Sequence, residues 1–173
     1  MLLRRRGHLP TSDGYIVGDI ALGVINTSVI NRKSGKTLAR GFIEGTGIRR
    51  GAVTTSVVWD TGNIIVVGST EQDMAIAVNH LIDIQGGYVV VKEGEIIYDF
   101  PMPVYGLIPT FSMEEIAKRF RGFEGAMKEI GSVLANPLLT LQTIPFTGLP
   151  SLRITDKGIA DIKTKRLVSL YVN

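Results

Sequence analysis

Apolar and polar positions change their period several times along this chain, and each change marks an element. Ala52–Val58 and Asn63–Val67 are nearly continuous runs rich in β-branched residues, the pattern of strands covered on both faces. Between them sits a polar insert, Trp59-Asp60-Thr61-Gly62-Asn63. Then the period lengthens. Met74, Ala77, Val78, Leu81 and Ile82 share one face of a helix. Thr70 with Asp73 three residues on is a variant capping box at its start, and Gly86-Gly87 is a left-handed stop at its end.

The same order follows again. Tyr88–Lys92 and Glu95–Phe100 flank Glu93-Gly94, a two-residue hairpin signal, because glycine accepts the positive φ that such turns demand. Pro101 and Pro103 end the second strand. Ser112 and Glu115 cap a second helix with a buried stripe at Ile116, Phe120, Phe123, Met127 and Ile130, and Gly131 closes it. Gly122 and Gly125 inside that helix each cost about 1 kcal/mol relative to alanine, which predicts a bend or a close packing contact. Upstream, Thr27–Asn31 and Thr37–Ile43 around Ser34-Gly35 read as a further hairpin. Downstream, Leu138–Ile144 and Leu167–Val172 read as strands, and Ile154–Lys163 as irregular chain with a turn at Asp156-Lys157-Gly158.

These elements predict an α+β fold. An antiparallel or mixed sheet is built from hairpins, with two main helices covering it, in the order strand-strand-helix twice over. Residues 1–18 form an N-terminal extension, partly irregular, and 19–173 a single domain. The repetition lies in the architecture and not in the residues, which show no convincing match between the halves.

Composition narrows the chemistry. A chain of 173 residues, 45% hydrophobic and 20% charged, is long enough to bury roughly two-thirds of its unfolded surface in one core. No apolar run approaches the ~20 residues needed to cross a bilayer. The opening MLLRRRGHLP carries three arginines with no apolar stretch after them and does not read as a signal peptide, so a cytoplasmic protein is expected. With no cysteine there is neither a disulfide nor a thiolate metal site. A net charge of +3, spread over Arg4-Arg5-Arg6, Arg49-Arg50 and Lys118-Arg119-Arg121 among acidic residues, is too thin for a nucleic-acid surface.

Few groups are left to carry chemistry. His8 is near a terminus, and His80 is on the flank of the first helix, where partial exposure is expected. Two histidines without HxH or HExxH spacing make no metal site, and no Ser/His/Asp set is present. The glycines of GFIEGTGIRRG, from Gly41 to Gly51, include a Gly-x-Gly step followed by arginines. A strand and not a helix comes next, so this reads as a turn and not a phosphate cradle. The insert has two readings. Asp60, Gly62 and Asn63 are good turn residues; equally, Trp59, Asp60, Thr61 and Asn63 are candidates to face a ligand, with the indole stacking on a planar ring.

From Gly41 to Gly87 the chain resembles the C-terminal domain of bacterial and archaeal adenine deaminases. The resemblance rests on Gly41-Phe42 ahead of Arg50-Gly51-Ala52, on NIIVVG from Asn63, on DMAIAVN from Asp73, and on Gly86-Gly87 followed by YVVV. It continues through Pro101-Met102-Pro103 and the tail LRITDKGIADI, and so spans roughly Asp19 to the C-terminus. Adenine deaminases of this type are amidohydrolase-related. Their barrel holds Mn or Fe through histidines and carboxylates, and a metal-activated water converts adenine to hypoxanthine and ammonia. That barrel has no place in this sequence, so the resemblance implies no cofactor in this chain, no catalytic residue and no activity by itself. Where the family typically reads His-Asp-Ser-His-Asn, this chain has Trp59-Asp60-Thr61-Gly62-Asn63; where it reads Glu-Arg-His, this chain has Asn31-Arg32-Lys33. Every imidazole of the two motifs is replaced. Two functions are therefore expected: an accessory subunit docking onto a barrel-type amidohydrolase chain, or a degenerate module that binds a small molecule or forms homo-oligomers.

Overall fold

Six antiparallel strands make the central sheet of the computed structural model, which describes residues 7–59 and 61–170. In chain order the elements are β1 (Thr11–Ser12), β2 (Tyr15–Ile16), β3 (Val24–Ile30), β4 (Thr37–Glu44), β5 (Ala52–Thr55), β6 (Ile64–Gly68), α1 (Glu71–Asp83), β7 (Gly87–Lys92), β8 (Glu95–Pro101), α2 (Met113–Glu129), α3 (Pro137–Thr143), β9 (Leu152–Thr155), β10 (Gly158–Asp161) and β11 (Arg166–Val168). The sheet order is β4-β3-β6-β5-β7-β8, while β9, β10 and β11 form a small second sheet and β1 and β2 a two-stranded ribbon. This is the α+β fold that the hairpin pattern predicts. Arg4-Arg5-Arg6 and Asp60, both singled out above, lie outside the described residues.

Both faces of the sheet are covered, which explains the continuous apolar runs of its central strands. In β7 the alternation is explicit. Val89 and Val91 point into the cluster under α1, with Ile30, Ala52, Ile64, Val66, Met74 and Leu81. Tyr88 and Val90 point into the opposite cluster, where Phe123, Met127 and Ile130 of the α2 segment, Leu141 of α3 and Ile154 of β9 meet the sheet. The α1 stripe is as the spacing predicts at Met74, Ala77, Val78 and Leu81, but Ile82 is exposed, on the helix flank. Both predicted N-caps form: the Thr70 hydroxyl accepts from the Asp73 amide, and that of Ser112 from the Glu115 amide. At the predicted hairpin Glu93 and Gly94 both have positive φ, 51° and 87°. Of the two helical glycines, Gly122 is the packed one, since a Cβ there would lie 2.8 Å from the Tyr98 ring; Gly125 faces open space.

The last quarter of the chain corrects three expectations. Leu138–Ile144 is not a strand but mostly helix α3, with Asn136 as its N-cap, accepting from the Leu139 amide at 3.0 Å, and Pro137 in its first turn. Pro137 and Leu141, four residues apart, are its buried positions, a helical spacing that the run of leucines and threonines hides. Ile154–Lys163 is not irregular: β9 and β10 pair through it as a hairpin around Asp156-Lys157. The final strand is Arg166–Val168, shorter than Leu167–Val172, whose last positions lie outside the described residues.

Candidate functional site

Because the strands alternate in direction, the connections gather at two ends of the sheet. One end carries the turns after β4, β6 and β7; the other carries residues 31–36, 56–63, 84–86 and 102–110. Register sets the second group side by side. Ile30 pairs with Ile64, so Asn31-Arg32-Lys33 runs off the sheet beside Thr61-Gly62-Asn63. The two segments compared with family motifs in the sequence are therefore neighbours in space.

The insert is a longer loop than the sequence pattern implies. Pairing along β5 stops at Thr55 and not at Val58, because side chains take over from the ladder. The Thr55 hydroxyl donates to the Gly87 carbonyl at 2.7 Å and accepts from the Val57 amide at 2.9 Å. The buried Ser56 hydroxyl accepts from the Gly87 amide at 2.8 Å and donates to the Gly106 carbonyl at 2.6 Å. The chain then leans away from the sheet and onto α3, where the Trp59 amide donates to the Gln142 carbonyl at 3.2 Å. The Gln142 side chain in turn donates to the Tyr88 hydroxyl at 2.6 Å, tying α3 to the middle of the sheet. Burial raises the Tyr88 hydroxyl above its usual range, an effect that its bonds with Gln142 and Thr55 oppose.

The four candidate positions differ in what they offer. Trp59 stands edge-on to Phe146, ring centres 5.2 Å apart at 77°, and remains 43% exposed. It is packed along one side and open along another. Thr61 closes a tight turn through its amide, which donates to the Trp59 carbonyl at 3.1 Å, while its hydroxyl is buried with no hydrogen-bond partner. Gly62 takes φ 62°, and Asn63, half-buried, leads directly into β6. Asp60 lies outside the described residues. The other motif segment is turn chemistry: the Asn31 side-chain oxygen accepts from the amides of Lys33 and Ser34 and from the Ser34 hydroxyl. The Arg32 guanidinium donates to the Tyr105 carbonyl.

Gln142, Phe146, Ser56 and Tyr105 belong to this site and were absent from the sequence candidates. The first two follow from α3, which the Asn136-Pro137 start signal announces. Ser56 and Tyr105 carry no such signal. His80 pairs with Asp99 at 2.9 Å, half out of the solvent, fastening α1 to edge strand β8. The Gly45–Gly51 turn is filled by protein, since Gly47 abuts Gly131 and Val133, and so it is a turn and no phosphate cradle. A concavity of about 1030 Å³ is an open groove between α1, the β3–β4 face and the β1–β2 ribbon, reaching Gly35 of the β3–β4 turn, with an exposed Arg40–Glu71 pair at its rim.

Chemically, the site end can offer an indole edge, a buried hydroxyl and apolar side chains. Among the described residues no three His, Cys, Asp or Glu side chains converge. No helix of the described residues is long and apolar enough to cross a membrane.

Comparison with known proteins points one way. A family model described as the adenine deaminase C-terminal domain matches residues 3–166. The chain is 36% identical over 163 residues to an adenine deaminase of Kosmotoga olearia, covering 94% of this chain but 28% of that protein. It is 37% identical over 164 residues to one from Methylobacterium sp. strain 4-46, with 95% and 29% covered. Against the Brucella abortus adenine deaminase it is 38% identical over 146 residues, with 83% and 25% covered. The chain thus spans less than a third of the length of these relatives.

Proposed function

The chain belongs to the family of adenine deaminase C-terminal domains, and on that premise we propose that it is an accessory component of an adenine-to-hypoxanthine hydrolase whose metal-bearing barrel is carried elsewhere. The observation behind this reading is the family match over residues 3–166. Nearly the whole chain aligns with relatives named as adenine deaminases, yet with only about a quarter of their length. The surface and hydrogen-bonding groups at the site end agree with it. Acting on a free purine, the assembly works in the cytoplasm.

The test is reconstitution. Co-expression with a barrel-type amidohydrolase chain should yield a complex that releases ammonia from adenine when Mn²⁺ or Fe²⁺ is supplied, while this chain alone stays silent. A pair that co-purifies but never deaminates adenine under any of these conditions sinks the proposal.

One observation favours a second reading, a non-catalytic module that binds a small planar molecule. Trp59 is the chain's only tryptophan and is half open to solvent beside the buried Thr61 hydroxyl. Base stacking on such a ring is worth about 1–3 kcal/mol. Its fluorescence therefore reports this site alone, and titration with adenine should quench it. An unchanged emission, together with a calorimetric trace flat for wild type and Trp59→Ala alike, removes this reading. Concentration-dependent sedimentation of the same sample would then support the homo-oligomer version.

A further inference from the structure

The turn between β8 and α2 is built to display side chains and not to pack them. Its backbone is engaged at several points. The Leu107 and Ile108 amides donate to the Val104 carbonyl at 3.1 Å, and the Val104 amide returns a bond to the Ile108 carbonyl at 3.3 Å. The Tyr105 carbonyl is held by Arg32, and the Gly106 carbonyl by Ser56. Gly106 is wedged so tightly that a Cβ there would lie 2.6 Å from the Arg32 guanidinium. The side chains do the opposite. Tyr105 is 81% exposed and Ile108 57%, with Val104 and Leu107 also open to solvent.

Tyr105 is the telling residue. It is held at φ 56°, a region that an ordinary side chain enters at a cost and glycine enters freely. The Tyr105 carbonyl gains the Arg32 bond, but its ring, largely in water, gains no packing inside this domain to offset that cost. A rigid turn that gives up stability to hold apolar groups in water is a contact surface waiting for its partner.

We propose that the Val104–Ile108 turn, steadied by Arg32 and Ser56, is the element through which this domain docks onto the metal-bearing portion of an adenine deaminase. This rests on the accessory role proposed above and names the face that serves it. Two observations choose that occupant. The relatives carry most of their length outside the region that aligns with this chain, so a domain of this kind needs a contact face toward the remainder. The turn also stands at the same end of the sheet as the half-exposed Trp59, so the exposed apolar and aromatic groups of this end lie together on one side of the sheet.

The experiment uses the part of the Kosmotoga olearia adenine deaminase that this chain does not match, first validated by its rebinding of its own C-terminal region. Wild-type chain should bind it in calorimetry. Tyr105→Gly and Ile108→Ser should bind roughly tenfold more weakly, as truncating a central anchor does. Tyr105→Gly should nevertheless melt no lower than wild type, since glycine relieves the left-handed residue. Wild type and both variants binding alike overturns the docking turn while leaving the accessory role intact. No binding by wild type overturns the accessory role, and the docking turn with it. Should the free chain self-associate in sedimentation, and Tyr105→Gly abolish this, the turn belongs to a second copy and the assignment fails.

Discussion

The two ends of the sheet are built from similar turn residues and are used in opposite ways. At the end formed by the turns after β4, β6 and β7, each polar group closes back on the domain. The Gly51 amide donates to the Ser69 hydroxyl at 2.9 Å, and the Ser69 amide donates to the Gly51 carbonyl. The buried Asp73 carboxylate accepts from the Gly94 amide at 2.8 Å and from the Thr70 hydroxyl at 2.9 Å, locking the start of α1 to the β7–β8 hairpin. The Val133 amide donates to the Thr46 carbonyl. At the other end Trp59 and Tyr105 stand in solvent and the Thr61 hydroxyl is buried unpaired. The first end is closed on itself, and the second keeps aromatic groups in solvent, as the proposed docking requires. Stability should therefore be lost at the first end and binding at the second.

The strongest way to break that contrast is Gly51→Ala. Gly51 has φ 104°, and a Cβ there would lie 2.1 Å from the Val91 carbonyl oxygen of the neighbouring strand, so strain and clash add. A loss of about 4 kcal/mol is expected, lowering the melting temperature by roughly 10 °C. A melt within a few degrees of wild type would show that this end is not the rigid one. Asp73→Ala comes next. It removes a helix cap partner and takes from the exposed hairpin residue Gly94 the acceptor of its amide, for about 1–2 kcal/mol in urea unfolding. Asp73→Asn, which keeps one acceptor, should lose less.

Which parts of the contrast could be read from sequence follows from the range of the interactions. The structural end was legible because its signals are local: Thr70 with Asp73, Glu93-Gly94 and Ser112 with Glu115 each act within a few residues, and each formed as predicted. The segment from 137 to 163 was misread because Leu138–Ile144 has apolar content for either state, and only the Asn136-Pro137 start decides for a helix. Within the proposed site, the motif comparison singled out Trp59 and Thr61 but not what surrounds them. Phe146 and Gln142 arrive through α3, and Tyr105 through a carbonyl bond to Arg32, 73 residues away in sequence. Such pairings exist only once the sheet has been assembled, and no local pattern announces them.

Tyr88→Phe tests the strut between the core and the site loop. Tyr88 is buried, and its hydroxyl accepts from Gln142, whose carbonyl holds the Trp59 amide. Losing that acceptor should cost about 1–2 kcal/mol and shift the Trp59 emission, although residue 88 does not touch the indole's exposed edge. The substitution also has a pH signature. Burial raises the folded Tyr88 hydroxyl above its ordinary value of 10.0, so above that pH the unfolded chain releases a proton that the native protein retains. The stability that Tyr88 protects is intact below pH 10 and falls as pH climbs toward the folded value. Urea midpoints measured on either side of pH 10 should converge for wild type and Tyr88→Phe as pH rises. A gap that stays constant would mean the hydroxyl is not shielded.

The smallest effect sharpens the comparison most. Arg32→Ala removes one donor to the Tyr105 carbonyl at an exposed position, so a loss of about 1 kcal/mol or less is expected. Its consequence should be confined to one end. In native-state hydrogen exchange the Val104, Leu107 and Ile108 amides, whose bonds close the display turn, should open roughly fivefold more often. The Gly51 and Gly94 amides, fastened by Ser69 and Asp73 across the sheet, should keep their wild-type rates. Acceleration at both ends would mean that the turns open as one cooperative unit, and the division between a holding end and a presenting end would not stand. Acceleration at the display turn alone means that Arg32 stiffens a surface and not a core.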